Sequence, residues 1–502
     1  MQQAQNKPKH ILIVGGGTAG WMAANLLVTQ WPDMAVTLVE SKDIGIIGVG
    51  EGSTPHLKLF FDAIGVADKD WMTACNATYK NGIWFDNWSQ IKGHESYFHP
   101  FAAQTDDVFT VPLFFKNIRA RMQGLDVNAH PDSYFLETYL SEQVLGPLPA
   151  ESFPFGIAYG YHFDSGLLGQ FLAKHAQQKG VKRIIGNVTD VLLGNSGNIS
   201  AVKLDDHTQL NADFFIDCSG FNSLLLQQAL KVEFSSYKDT LFNDAAVVLP
   251  SEITTPTPVA TRSTALTNGW AWQIPLRNRF GNGYVYASDY TDASQAETEL
   301  RQHLDLTESD VEARHLKMKV GRVTKHWQQN CLAVGLSQGF IEPLEATAIA
   351  LTFNTIAQFI RCFEQGQFTH QYQDAFNQDI NKRFDGIRDY VVCHYKANQR
   401  RDTNYWRDNA NNPHISDKLK HILHLWQHSP DFAGEMHKQQ LMGSYQAKSW
   451  ACMLAGYGIF PAKNPQAQFD KHLYQHELNN VHDFIRRCGL NFTAHQALLQ
   501  NL

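Results

Sequence analysis

The stretch Ile11-Leu12-Ile13-Val14-Gly15-Gly16-Gly17-Thr18-Ala19-Gly20 carries the strongest structural signal in the chain. Four aliphatic residues in succession read as a buried strand. Gly15, Gly17 and Gly20 then make a GxGxxG turn, and Trp21 to about Gln30 reads as a helix with Met22, Leu26 and Leu27 on one side. Val36–Glu40 supplies a second strand. Strand, glycine turn, helix and strand in that order form a βαβ unit with a right-handed crossover. The first glycine permits the tight turn, the second lets a pyrophosphate approach the backbone, and the third lets helix and strand pack closely. The free N–H groups of the helix N-terminus, with its positive dipole end, would then meet the phosphates. Glu40, twenty residues past Gly20, ends the second strand where a carboxylate can take ribose hydroxyls. This suits FAD or NAD and disfavours NADP. The expected fold class is therefore α/β, built on a Rossmann-like dinucleotide-binding body.

Outward from that unit the chain turns glycine-rich, with Gly45, Gly48, Gly50 and Gly52 before Pro55. Such a run suggests backbone lying close against something flat. Helical periodicity returns near Leu57. Residues 84–160 are rich in aromatics and prolines and read as loops and strands walling a cavity. Leu167 to about Gln178 reads as a helix; Arg183–Leu193, Ile199–Leu204 and Phe214–Asp217 read as strands. Residues 230–330 look β-rich, with Gly281-Asn282-Gly283 as a turn signal. Ala346–Gln367 reads as a long helix, and the chain beyond Gln371 as mainly helical. The strand Phe214–Asp217 runs into Cys218-Ser219-Gly220, a small polar turn like the one that returns to FAD in two-dinucleotide-type flavoproteins.

Three motifs together resemble the flavin-dependent tryptophan halogenases. They are Gly48-Val49-Gly50-Glu51-Gly52-Ser53-Thr54-Pro55, which looks like that family's flavin-covering strap; Trp270-Ala271-Trp272-Gln273-Ile274-Pro275, a complete WxWxIP signature; and Pro343-Leu344-Glu345-Ala346-Thr347-Ala348-Ile349. The resemblance runs from Ile11 to about Trp406. It implies FAD, used as FADH2, with Gly15, Gly16, Gly17, Thr18, Ala19, Gly20, Glu40, Ser41, Gly48, Val49, Gly50, Gly52, Val188, Leu336 and Ile349 around it. It implies that O2 and chloride or bromide yield hypohalous acid, which passes along a tunnel to a lysine. The matching lysine is Lys80. Its ammonium can hydrogen-bond the acid and make it more electrophilic, or its amine can form a haloamine. A buried lysine leaves its ordinary pKa of about 10.4 readily, so either state is reachable.

The resemblance makes Glu345 the matching carboxylate, able to stabilise an arenium ion, accept its proton or orient Lys80. The helix N-terminus that follows can hold a halide through its backbone amides, which puts the halide at Thr347 and Ala348. Trp270, Trp272, Ile274 and Pro275 would separate the flavin from the tunnel and keep substrate from direct oxygenation. At Ala346 and Ala348 the family usually carries Ser and Gly. The change bears on halide choice and suggests bromide over chloride. No Tyr-Tyr or Trp set for clamping the amino-acid part of tryptophan is evident in the C-terminal half, although His394-Tyr395 and Asp402–Trp406 resemble a family segment. The expected reaction is halogenation of an electron-rich aromatic such as indole or tryptophan. The alternatives are a flavin-dependent aromatic monooxygenase, which needs no distant lysine, and a non-catalytic FAD-binding protein.

The remaining features narrow partners and organisation. The chain has 502 residues, 43% hydrophobic and 18% charged, enough to bury a sizeable core. Its formal net charge is -7, and it has no basic block of nucleic-acid type. No apolar run reaches the roughly 18 residues a membrane span needs, and the polar N-terminus does not read as a signal peptide, so the expected location is the cytoplasm. Seven dispersed cysteines without a CxxC pair argue for reduced thiols. His421, His424 and His428 have helical spacing but no accompanying carboxylate or cysteine, and no metal is expected. One dinucleotide fingerprint implies that a separate NAD(P)H-dependent flavin reductase supplies FADH2. Residues 1–370 are expected to form the FAD-binding core with its substrate walls, and residues 371–502 a helical region covering the substrate cavity, in a monomer or homodimer.

Overall fold

The structure, a computed structural model, describes residues 6–42, 50–150 and 152–502. Gly48 and Val49 of the expected strap lie outside the described residues. The chain forms two compact units, each assembled from three stretches. One comprises residues 1–76, 163–238 and 318–385; the other comprises residues 77–162, 239–317 and 386–502. The division at 370 expected from the sequence falls near the end of the first unit's last stretch.

The first unit is built on a six-stranded sheet. Its order is Trp327–Gln328, Cys331–Ala333, Phe214–Asp217, His10–Val14, Ala35–Glu40, Lys182–Ile185. The pairings are parallel except at Trp327–Gln328, which is antiparallel. Helix Thr18–Gln30 makes the expected crossover from His10–Val14 to Ala35–Glu40. Ile11, Leu12 and Ile13 are fully buried, which explains their unbroken aliphatic run: a parallel strand covered on both faces has no polar side. Each such side chain contributes roughly 1.5–3 kcal/mol on burial. Asn25 ties this helix to Ser165–Gln178, donating to the Leu172 carbonyl at 2.9 Å. Helices His56–Ile64 and Ala348–Gln365 also belong to this unit.

The run read as one strand over Arg183–Leu193 is two strands. Lys182–Ile185 joins the parallel sheet, while Val188–Leu193 opens an antiparallel three-stranded sheet with Ile199–Leu204 and Gln209–Asn211. The break falls at Gly186-Asn187, where the Asn187 side chain and amide bond Asp205. Apolar content alone cannot reveal a change of sheet.

The second unit is built on a seven-stranded sheet in the order Arg314–Lys317, Ala245–Ser251, Phe280–Tyr286, Gly269–Pro275, Ala260–Leu266, Gly82–Asp86, Ser96–Pro100. The expected β-rich middle is here. Gly281-Asn282-Gly283, however, is not a turn: it lies inside the buried strand Phe280–Tyr286. Residues 84–160 also hold two helices, Val111–Met122 and Leu136–Glu142, where loops and strands were expected. Pro112 stands in the first turn of the former, where a missing N–H costs no intrahelical bond. The C-terminal stretch is mainly helical as expected, from Asn404–Asn411 to His495–Gln500, with one short strand, Phe492–Ala494. No helix among the described residues is long and apolar enough to cross a membrane.

Candidate active site

The glycine fingerprint closes one end of the first unit's sheet. Gly15 has a φ of +114°, and a Cβ on it would overlap the Cys218 carbonyl. It therefore serves both the turn and the close approach of the Phe214–Asp217 strand end. A Cβ on Gly16 would overlap the Glu40 carboxylate. Gly17 is the N-cap of helix Thr18–Gln30; no side chain caps the helix there, and a Cβ on it would meet no protein atom within 4 Å. Gly20 packs on the Gly15 carbonyl, where a Cβ would also overlap. The helix start, with Thr18 and Ala19, thus presents open amides beside a carboxylate. That is the donor set a dinucleotide's pyrophosphate and ribose need, so the residues present fit FAD.

Glu40 is an ion-pair partner of Arg183, a contact that no spacing in the chain indicates. The turn after Phe214–Asp217 is organised by Asp217, another residue missed from the sequence. Its buried carboxylate accepts from the Ser219 amide at 3.0 Å, the Leu225 and Leu226 amides at 2.9 and 2.8 Å, and the Ser337 hydroxyl at 3.0 Å. Leu336 lies in the turn Gly335–Ser337, and a Cβ on Gly335 would overlap Ala19. Leu336 is thereby brought to the fingerprint. Ser41 follows the second strand, Gly50 and Gly52 bound a short strand, and Val188 heads its strand at the margin of the core.

Glu345 is buried, and the helix expected from Ala346 begins two residues later. Glu345 ends the 3-10 turn Pro343–Glu345. Ala346 follows with a φ of +53°, Thr347 is the N-cap, and the helix starts at Ala348 with Ile349 buried in its first turn. A left-handed residue therefore stands between Glu345 and the helix. Thr347 makes no side-chain cap bond.

The second unit carries Lys80 and the WxWxIP strand. Lys80 is fully buried on strand Thr78–Lys80, paired antiparallel with Gly160–His162. Its ammonium lies 5.6 Å from the centre of the Phe101 ring, within cation–π reach. His99, two residues earlier, approaches Tyr390, whose hydroxyl donates to the Ser449 carbonyl at 3.1 Å. Tyr390 stacks on Tyr445 at 3.5 Å and meets Trp450 edge-on at 4.7 Å. Tyr390 lies 55 and 60 residues before Tyr445 and Trp450, so periodicity does not join it to them. His394 belongs to the same packing, bonded to the Tyr457 hydroxyl at 2.6 Å and stacked on Phe85.

Trp270 and Trp272 lie on one face of their strand, with ring centres 6.0 Å apart. Ile274 is buried on the same face, and Pro275 ends the strand. Trp272 lies opposite Gly283, where a Cβ would overlap its ring. The apparent turn glycine is thus the space an indole occupies. His424 and His428 stack on each other, while His421 bonds Gln439. No group of three His, Cys, Asp or Glu side chains among the described residues is placed to hold a metal.

Comparison with known proteins identifies the family. The tryptophan halogenase family model matches residues 10–471. The 7-chloro-L-tryptophan 6-halogenase KtzR of Kutzneria sp. (strain 744) is 37% identical over 98% of this chain and 99% of its own. The tryptophan 6-halogenase SttH of Streptomyces toxytricini is 38% identical over 84% of each chain. The SttH crystal structure superposes with a TM-score of 0.86 over 99% of this chain and all of its own, at 33% identity. Xcc4156, a flavin-dependent halogenase from Xanthomonas campestris, matches with a TM-score of 0.86 and 32% identity over 98% of each chain. The chain belongs to the tryptophan halogenase family and is a flavin-dependent halogenase.

Proposed function

We propose that this enzyme halogenates the ring of tryptophan or a simple indole, using FADH2, O2 and chloride or bromide. Bound FADH2 with O2 supplies the two-electron oxidation that, with one proton, turns halide into hypohalous acid and leaves FAD and water. Lys80 donates a hydrogen bond to that acid and sharpens the halogen as an electrophile. The ring attacks the halogen, hydroxide leaves, and the arenium proton goes to Glu345; the sum is halogenated ring plus water. Thr347 and Ala348 hold the halide, and Trp270, Trp272, Ile274 and Pro275 keep the aromatic substrate from direct oxygenation. The Ala residues at 346 and 348 support bromide over chloride. FADH2 comes from a separate NAD(P)H-dependent flavin reductase.

The observation that carries this reading is the buried Lys80 ammonium against Phe101, in a unit that also holds the His99, Tyr390, Tyr445 and Trp450 cluster. A cation kept from water beside aromatic faces suits a polar electrophile meeting an electron-rich ring. The test is mass spectrometry of L-tryptophan and indole after incubation with enzyme, FAD, a flavin reductase, NADH, O2, and both halides. A halogen isotope pattern on product is expected, with the bromide product in excess, and Lys80→Ala is expected to abolish it. A product carrying one added oxygen, or full halogenation by Lys80→Ala, would sink the reading.

A further inference from the structure

Beneath Lys80 runs a hydrogen-bond chain whose direction is forced. Thr78 is two residues before Lys80 on the same strand, so their side chains share a face. The Thr78 hydroxyl donates to the Pro275 carbonyl at 2.7 Å. Having one proton, it meets His162 Nδ1 at 3.0 Å as an acceptor. His162 therefore carries its hydrogen on Nδ1. Its Nε2 lone pair is left to accept from the Thr261 hydroxyl at 2.9 Å. His162 stands directly opposite Thr78 in the strand pairing, and Gly160, opposite Lys80, has no side chain to crowd the ammonium.

Both ring nitrogens of His162 are thus used, and the residue is fully buried. Burial, then the charge of Lys80, then His495, hold its pKa well below the ordinary histidine range. His495, at the start of the C-terminal helix, meets the next residue of the lysine strand: its Nε2 accepts from the Tyr79 amide at 3.3 Å while Nδ1 donates to the Thr257 carbonyl at 2.9 Å. Burial pushes His495 down to about 4. Two neutral imidazoles therefore brace the strand that carries the lysine. The Pro275 carbonyl gives the end of the WxWxIP strand a part in the same brace.

We propose that His162 is the positioning residue of the catalytic lysine: as a neutral, Nδ1-protonated imidazole it locks Thr78, Thr261 and the Pro275 carbonyl together, fixing the strand from which Lys80 projects without adding a second positive charge beside it. This rests on the reading of Lys80 given above. A misplacement on the scale of 1 Å in such a group can cost 10²-fold in rate, so the imidazole matters for transfer of halogen rather than for making hypohalous acid.

His162→Phe keeps a planar ring and removes both bonds. With L-tryptophan, FAD, reductase, NADH, O2 and bromide, it is expected to release oxidised bromine to a thiol probe in solution while kcat for bromotryptophan falls about tenfold or more, with KM for tryptophan unchanged. His162→Asn restores a donor toward Thr78 and should recover part of the product. Thr261→Val, which removes only the Nε2 bond, should show the same split more weakly and serves if the Phe variant does not fold. Wild-type product yield in His162→Phe, identical yields in the Phe and Asn variants, or a change confined to KM would overturn the proposal. Lys80→Ala keeps the two readings apart. If it is inactive while His162→Phe is fully active, only the positioning role fails; if it still halogenates, the reading of Lys80 itself fails.

Discussion

Gly283 sits in the interior of strand Phe280–Tyr286, where glycine costs roughly 0.5–1 kcal/mol relative to alanine. The cost is offset by the indole of Trp272, which fills the space a methyl would take. Gly283→Ala is expected to overpack the sheet by about 1–3 kcal/mol and to shift Trp272. A lowered Tm together with altered tryptophan fluorescence would show this, and an unchanged Tm would refute it. Ala346 is the opposite case. It has a side chain where its φ of +53° favours glycine. Left-handed backbone costs an L-residue about 1–2 kcal/mol, against roughly 0.4–1 kcal/mol of chain entropy lost with glycine. Ala346→Gly should therefore raise stability, by up to about 1.6 kcal/mol. A measured loss would mean that the Ala346 methyl makes contacts worth more than the strain.

Among elements, the βαβ opening was the most legible part of the chain, because its glycines each answer to a separate contact at fixed spacing. Gly16 shows how tight that code is. Its missing side chain leaves room for the Glu40 carboxylate, which is held by Arg183. Gly16→Ala is expected to displace Glu40 and weaken FAD binding by about tenfold or more, since losing a buried charge-assisted bond costs roughly 1.5–3 kcal/mol. Titration by flavin fluorescence measures it, and wild-type affinity would show that Glu40 has no part in binding. The candidate site was legible only where it is local. Lys80, Glu345 and the WxWxIP strand could be named from motifs. The Asp217 hub, the Tyr390–Tyr445–Trp450 cluster and the His162 brace join residues distant in sequence, and no spacing announces them. The helix Val111–Met122 was missed because its aromatics and Pro112 favour other structures in isolation; tertiary packing overrides that preference.

Across the whole molecule, burial of acids sets a pH dependence. In the second unit, burial pushes Asp106 and Asp132 up to about 7 and Glu137 well above its ordinary value. In the first unit, burial pushes Glu51 up to about 7. Asp106 accepts from the Leu136 amide at 3.1 Å, which keeps it in place at the start of the helix that holds Glu137. Each of these groups is easier to ionise in the unfolded chain. Below an unfolded pKa of about 4 both states are protonated and nothing is lost. As pH rises through that value the unfolded state ionises first, so stability declines through about 7 for Asp106, Asp132 and Glu51, and further for Glu137. Glu137 is the sharpest test, because its burial outweighs the Lys448 charge and the Phe101 amide that favour the ionised form, and glutamine has nearly the same shape without the acid. Glu137→Gln should match the wild-type Tm near pH 4 and exceed it by roughly a few degrees at pH 8, the gap widening by at most about 1.4 kcal/mol per pH unit. A difference that stays flat from pH 4 to 8, or one that favours the wild type at high pH, would mean that Glu137 is ionised in the folded protein and held by a cation.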